Sequence, residues 1–193
     1  MKKFLRLIVR LVECCFVWRV KNSTHQENLK DSTVILALSF GVGLDSPGKS
    51  NKALAEIVRD LYNQHKLPII VQKEIVSCLP GPLCEEGVRA IIREPRRVRE
   101  KYLDTREILE QCKSLCSDNQ YADLDMKAIL VAHPHHLWRT KRMAEKLGFV
   151  IHVANTKSVP YDRRSRQWWT RNQLFYFLRE VPTRIVYLIR GWI

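Results

Sequence analysis

Two patterns of apolar residues alternate along this chain. Short, mostly apolar runs occur at 33–40 (TVILALSF), 67–72 (LPIIVQ), 88–92 (VRAII), 127–132 (KAILVA) and 149–154 (FVIHVA). Runs of this length, rich in β-branched residues and bounded by polar residues or glycine, predict strands buried on both faces. Between them lie segments with helical periodicity. Segment 51–64 carries Leu54, Ile57, Val58 and Leu61 on one face, and 105–116 and 136–147 are two more, the last stopped by Gly148. Segment 77–84, with Pro80, Gly81 and Pro82, reads as a loop or break, and the chain beyond 154 reads as mostly helical.

Strands alternating with helices require crossover connections. The fold expected is therefore α/β: a Rossmann-like three-layer α/β/α domain with a mostly parallel sheet of about five strands. In such sheets ligands bind beyond the carboxyl ends of the strands. That rule selects segments 39–51, 72–74, 93–105 and 132–139.

Residues 2–20 predict a further helix, with Lys2, Arg6, Arg10 and Glu13 along one side. Its apolar runs are too short for a membrane span, and the charges interrupt any signal-peptide core. No transmembrane span or cleavable signal is expected, which places the protein in the cytoplasm or peripherally at the inner membrane. Burial in an anionic lipid interface and packing on its own domain or a partner both account for this helix. The chain thus divides into an N-terminal basic amphipathic helix (1–22), a polar linker (23–32) and a single domain (33–193).

Charge sharpens the picture. The 33 Lys and Arg against 20 Asp and Glu give a net +13, which favours anionic partners: a phosphorylated ligand, a membrane surface or nucleic acid. A plain basic solvated surface accounts for it equally. Six cysteines occur without a CxxC pair, which argues against a zinc ribbon or a thioredoxin-type site. Cys112 and Cys116 share one helix face, and reduced thiols are expected.

Three segments could carry chemistry. Residues 43–50 read GxxxxGKS between a strand and a helix, the setting of a triphosphate-binding loop. Pro47 has no N–H to offer there, and no later strand ends in an Asp for magnesium. A loop and helix N-terminus receiving some other anion is the milder alternative to a P-loop NTPase. His133, His135 and His136 follow the fourth strand without carboxylates at metal-binding spacing, so no metal is expected. His136 and Arg139, three apart at a helix start, can face one ligand, with His136 as acid or base and Arg139 stabilising charge. Asp104 suits an N-cap, with Glu107 three residues on completing a capping box. Residues 163–192 interleave arginines with aromatics, which suits nucleic acid or a membrane interface, but their helical spacing favours a core-packing helix over nucleic-acid binding.

In order and spacing these motifs resemble the ElyC/SanA/YdcF family of bacterial envelope-associated proteins, over about residues 33–193. The glycine loop is Gly41–Gly43. Asp104, Thr105 and Glu107 match a polar-Thr-x-Glu segment, with Asp104 where Asn is usual and Glu100 or Glu94 as the preceding acid. His136 and Arg139 match His-x-x-Arg, with Gly148 after it, and Glu180 and Arg190-Gly191-Trp192 fit the closing segment. Gln72-Lys73-Glu74 stands where many members have Ser-Gly-Gly, Ser50-Asn51 marks a divergent branch, and the N-terminus carries charges where many relatives have a membrane span. The resemblance implies a Rossmann-like domain, a role in cell-envelope biogenesis and a nucleoside-type ligand such as S-adenosylmethionine.

The expected site is therefore one for an anionic or nucleotide-like small molecule. Gly41, Gly43, Ser50, Asn51, Glu74, Asp104, Thr105, Glu107 and His133 are its ligand-binding candidates, and His136 and Arg139 its catalytic candidates. Peripheral membrane contact is expected through residues 1–20, and nucleic acid is the less favoured partner.

Overall fold

The computed structural model describes residues 12, 17, 18, 20, 29, 31–44, 46–94, 103–117 and 125–193. The predicted segments 1–22 and 23–32 lie outside the described residues, apart from Val12, Val17, Trp18, Val20, Leu29, Asp31 and Ser32.

Five strands, β1 (Val34–Ala37), β2 (Ile69–Gln72), β3 (Val88–Ile92), β4 (Lys127–Val131) and β5 (Val150–Val153), form one sheet in the order β3-β2-β1-β4-β5. Every pairing is parallel, with Ile35 of β1 opposite both Ile69 and Ile129. Side chains alternate across β1. Ile35 and Ala37 join Leu54, Val58 and Leu61 of α1 (Lys49–His65) on one face. Val34 and Leu36 join Leu109 of α4 (Thr105–Cys116) and Met143 of α5 (Leu137–Lys146) on the other. Both faces are covered, as the unbroken apolar strands require. The domain is a Rossmann-like three-layer α/β/α fold.

Helix boundaries follow local chemistry. Asp104 caps α4 by accepting from the Glu107 main-chain N–H at 2.8 Å. Gly148, at φ 102°, closes α5, with the Phe149 N–H on the Ala144 carbonyl and the Gly148 N–H on that of Glu145.

Two expectations need correction. The presumed break at 77–84 contains the start of a short helix, α3 (Gly81–Glu86), preceded by a one-turn helix, α2 (Lys73–Val76). Pro80 is the N-cap of α3 and Pro82 sits in its first turn, where a missing N–H costs nothing. The chain after β5 is also less helical than expected. Residues 154–167 run as an irregular strap, and helix resumes only with a 3₁₀ turn at Trp168–Thr170 and α6 (Gln173–Ile189). Among the described residues, no helix is long and apolar enough to cross a membrane. Cys78, Cys84, Cys112 and Cys116 are free thiols.

Candidate functional site

The strand order reverses between β1 and β4, so the crossovers from the two halves leave in opposite directions and open a crevice at the carboxyl rim. A cavity of about 800 Å³ occupies that crevice. Its walls come from the loop after β1, the β2–α2 junction, the end of β3, the first turns of α4 and α5, and the inner face of α6. Gly41, Glu74, Asp104, Thr105, His136 and Arg139 line it.

Glu180 of α6 organises the floor. Its carboxylate accepts from Arg139 Nε at 2.9 and 3.1 Å, from Arg184 Nε at 2.9 Å and from the Tyr176 hydroxyl at 2.9 Å. Burial alone would raise the Glu180 carboxyl, but Arg139 first and then Arg184 hold it below its ordinary value. Arg139 donates onward from Nη1 to Thr105 Oγ1 at 3.1 Å, and its Nη2 stands 3.2 Å from His136 Nδ1. His136 Nδ1 also lies 3.0 Å from the Tyr176 hydroxyl, and its Nε2 lies 3.3 Å from Thr105 Oγ1. Thr105, held by Arg139, lines the cavity at the start of α4.

This geometry corrects the chemistry expected of two residues. Burial, reinforced by Arg139, pushes the His136 imidazole down to about 3, so it stays neutral near pH 7 and is not the near-neutral acid or base its residue type suggests. Arg139 is committed to Glu180 and is not a free cation awaiting an anionic ligand.

The other candidates lie beside the cavity and shape it. Asn51 fastens the first loop: its Oδ1 accepts from the Phe40 N–H at 2.8 Å, and its Nδ2 donates to the Gly41 and Pro47 carbonyls at 2.9 and 2.6 Å. Ser50 Oγ donates to the Pro160 carbonyl at 2.7 Å. Gly43 permits a tight turn, since a Cβ there would stand 2.2 Å from the Ser46 carbonyl oxygen. The N-terminus of α1 is occupied from within the chain: Asp162 Oδ2 accepts from the Lys49 N–H at 3.0 Å. An internal carboxylate therefore holds the seat that the GxxxxGKS reading assigned to phosphate. Glu107 belongs to the α4 cap, and its side chain is buried outside the cavity. His133 is buried beneath the rim, stacked on Phe40 at 3.7 Å, and burial holds its ring well below the ordinary value. Among the described residues no group of three or more His, Cys, Asp or Glu could hold a metal ion.

Glu74 is different. It follows β2 and lines the cavity, and its Oε2 is buried with no hydrogen-bond partner. Beside it Gln72 Oε1 accepts from the Ser39 N–H at 2.7 Å. Lys73, Arg93 and Arg179 add positive charge to the wall, and Trp169 and Phe40 add rings.

Sequence reasoning did not single out Tyr176, Trp169, Arg179 or Gln72. Glu180, already matched to the closing segment, had a further signal: it is the sole acid between 163 and 193. An isolated acid among seven arginines suggests a buried ion pair. Comparison of the chain with models of known protein families, with curated proteins and with solved structures finds no match.

Proposed function

We propose that this chain is a small-molecule-binding domain of the ElyC/SanA/YdcF type, acting in cell-envelope biogenesis, whose ligand is nucleoside-like, such as S-adenosylmethionine. The observation that carries the reading is Glu74, an acidic side chain just past β2 that lines the switch-point cavity. In dinucleotide-binding folds of this layout, an acidic side chain beyond the first loop accepts the ribose hydroxyls. Glu74, just past β2, suits that role.

Asp162 narrows the class. With its carboxylate at the start of α1, a phosphate there would meet like charge at close range, so the arrangement favours a nucleoside without a phosphate chain. Trp169 offers a ring face for a base, and Lys73, Arg93 and Arg179 offer counter-charge to a ligand carboxylate. Neutral His136 and the Thr105 hydroxyl orient a ligand rather than exchange protons with it.

Thermal-shift titration with S-adenosylmethionine, adenosine, 2′-deoxyadenosine and ATP tests this reading. S-adenosylmethionine and adenosine should raise the melting midpoint by mass action, and 2′-deoxyadenosine and ATP should do so less. Glu74→Ala should remove the response while the unliganded protein melts as before. No shift with any of the four, or an unchanged response in Glu74→Ala, would overturn it.

A further inference from the structure

Helix α6 is apolar on the face it turns away from the domain. Tyr176, Glu180, Thr183 and Arg184 point inward and are buried. Leu174, Leu178 and Ile189, spaced four and eleven residues apart along the opposite face, are 64%, 61% and 80% exposed. Phe175 and Val186 flank them, and Trp168 meets Phe175 edge-on at 5.8 Å. Nine large apolar side chains are exposed among the described residues, and these six are the ones that cluster. Scattered exposed leucines need no explanation, but a contiguous stripe marks an interaction surface.

The charge around this stripe identifies what it meets. Arg163, Arg164, Arg166, Arg171, Arg179 and Arg190 are all exposed, whereas Glu180, the sole acid from 163 to 193, is buried. An apolar strip on a helix that carries exposed Arg179 and is flanked by exposed Arg171 and Arg190 matches a leaflet of anionic phospholipid, which takes the aliphatic side chains below the headgroups and the arginines at their level. A second copy of the chain fits poorly, because a two-fold contact would set arginine against arginine. Nucleic acid would leave Leu174, Leu178 and Ile189 without partners, since bases stack on rings rather than on aliphatic chains. The N-terminal segment reaches α6 from another side: Trp18 packs on Phe177 at 3.9 Å, and Val17 receives Arg184 Nη1 on its carbonyl at 2.7 Å.

We infer that the outer face of α6, centred on Leu174, Leu178 and Ile189 and rimmed by arginines, docks the domain on an anionic membrane surface. Leu174, Leu178 and Ile189 do not line the nucleoside cavity, and this docking surface stands whether or not that cavity binds anything.

Co-sedimentation of the full chain with vesicles tests it. The protein should pellet with phosphatidylcholine vesicles that contain phosphatidylglycerol, stay in solution with phosphatidylcholine alone, and be released by salt. The triple variant Leu174→Ser, Leu178→Ser, Ile189→Ser keeps the charge and should lose vesicle affinity by about tenfold or more, as three large side chains no longer enter lipid. Its melting midpoint should match the wild type, since all three positions are exposed. Val150→Ser, at an exposed apolar position outside the stripe, should bind as wild type does. Wild type that ignores phosphatidylglycerol, a triple variant that binds undiminished, or a wild-type dimer that the triple variant converts to monomer would each overturn the inference.

Discussion

The Asp162 carboxylate accepts a hydrogen bond from the Lys49 main-chain N–H at 3.0 Å, joining residues 113 positions apart. It supplies at the start of α1 the negative charge that a helix N-terminus favours. Asp162→Ala should cost about 1–2 kcal/mol, the scale of a lost cap. It should also free the seat, so that inorganic phosphate stabilises the variant but not the wild type in a thermal-shift titration. For the same reason wild type should not hydrolyse ATP with magnesium, and Lys49→Ala should change nothing in that assay.

Removing Glu180 takes away the carboxylate that bridges two buried guanidinium groups, those of Arg139 and Arg184. Glu180→Ala should destabilise the domain by about 3–5 kcal/mol, the range for breaking a buried ion pair from one side. Urea unfolding followed by circular dichroism measures it. A loss no larger than that of a control at the exposed Glu56, Glu56→Ala, would contradict the ion-pair assignment.

The neutral imidazole of His136 makes the domain acid-sensitive. Its folded value lies near 3, and an unfolded histidine titrates at about 6.5. As pH falls through that interval the unfolded chain takes up the proton first, so stability declines from about 6.5 downward and is greatest above it. Glu180, whose folded value is depressed, adds stability above the ordinary carboxylate range and loses it only at lower pH. The melting midpoint should therefore fall between pH 6.5 and 4.5. In His136→Gln the slope over that range should be shallower but not flat, because His133 is also held neutral.

Gly41 holds a left-handed backbone at φ 73°, and a Cβ there would stand 2.6 Å from Thr170 Oγ1 and 2.8 Å from Ser165 Oγ. Gly41→Ala should lower stability by about 1–3 kcal/mol through strain at this φ. Gly81→Ala, with nothing within 4 Å of the new Cβ and a helix to start, should be neutral or slightly stabilising. Equal melting midpoints for the two variants would refute the argument.

Much of the fold is legible in the sequence because periodicity records burial. The unbroken run VILA can sit only where both faces are covered, and the bounds expected for β3 and α4 coincide with those observed. The site is less legible. His136 and Arg139 meet because three residues of helix place them together, and that is a local fact. What they do depends on Glu180, 41 residues beyond Arg139, which turns Arg139 from a free cation into half of an ion pair. The GxxxxGKS string likewise reads as a phosphate cradle until a carboxylate arrives from the strap. The outer face of α6 also defeats a reading by period: its apolar spacing says core, and only the placement of the helix at the rim leaves that face bare.

The strap has a consequence for how the molecule is made. Val42, Lys49 and Ser50 are held by Ser165, Asp162 and Pro160, contacts that span 110 to 123 residues. During synthesis on the ribosome the first four strands can leave the exit tunnel and pair while that rim is still unfastened. The binding chamber is therefore a late product of translation. A chain that stops short of the strap could still assemble its sheet, yet it would have no finished place to receive a guest.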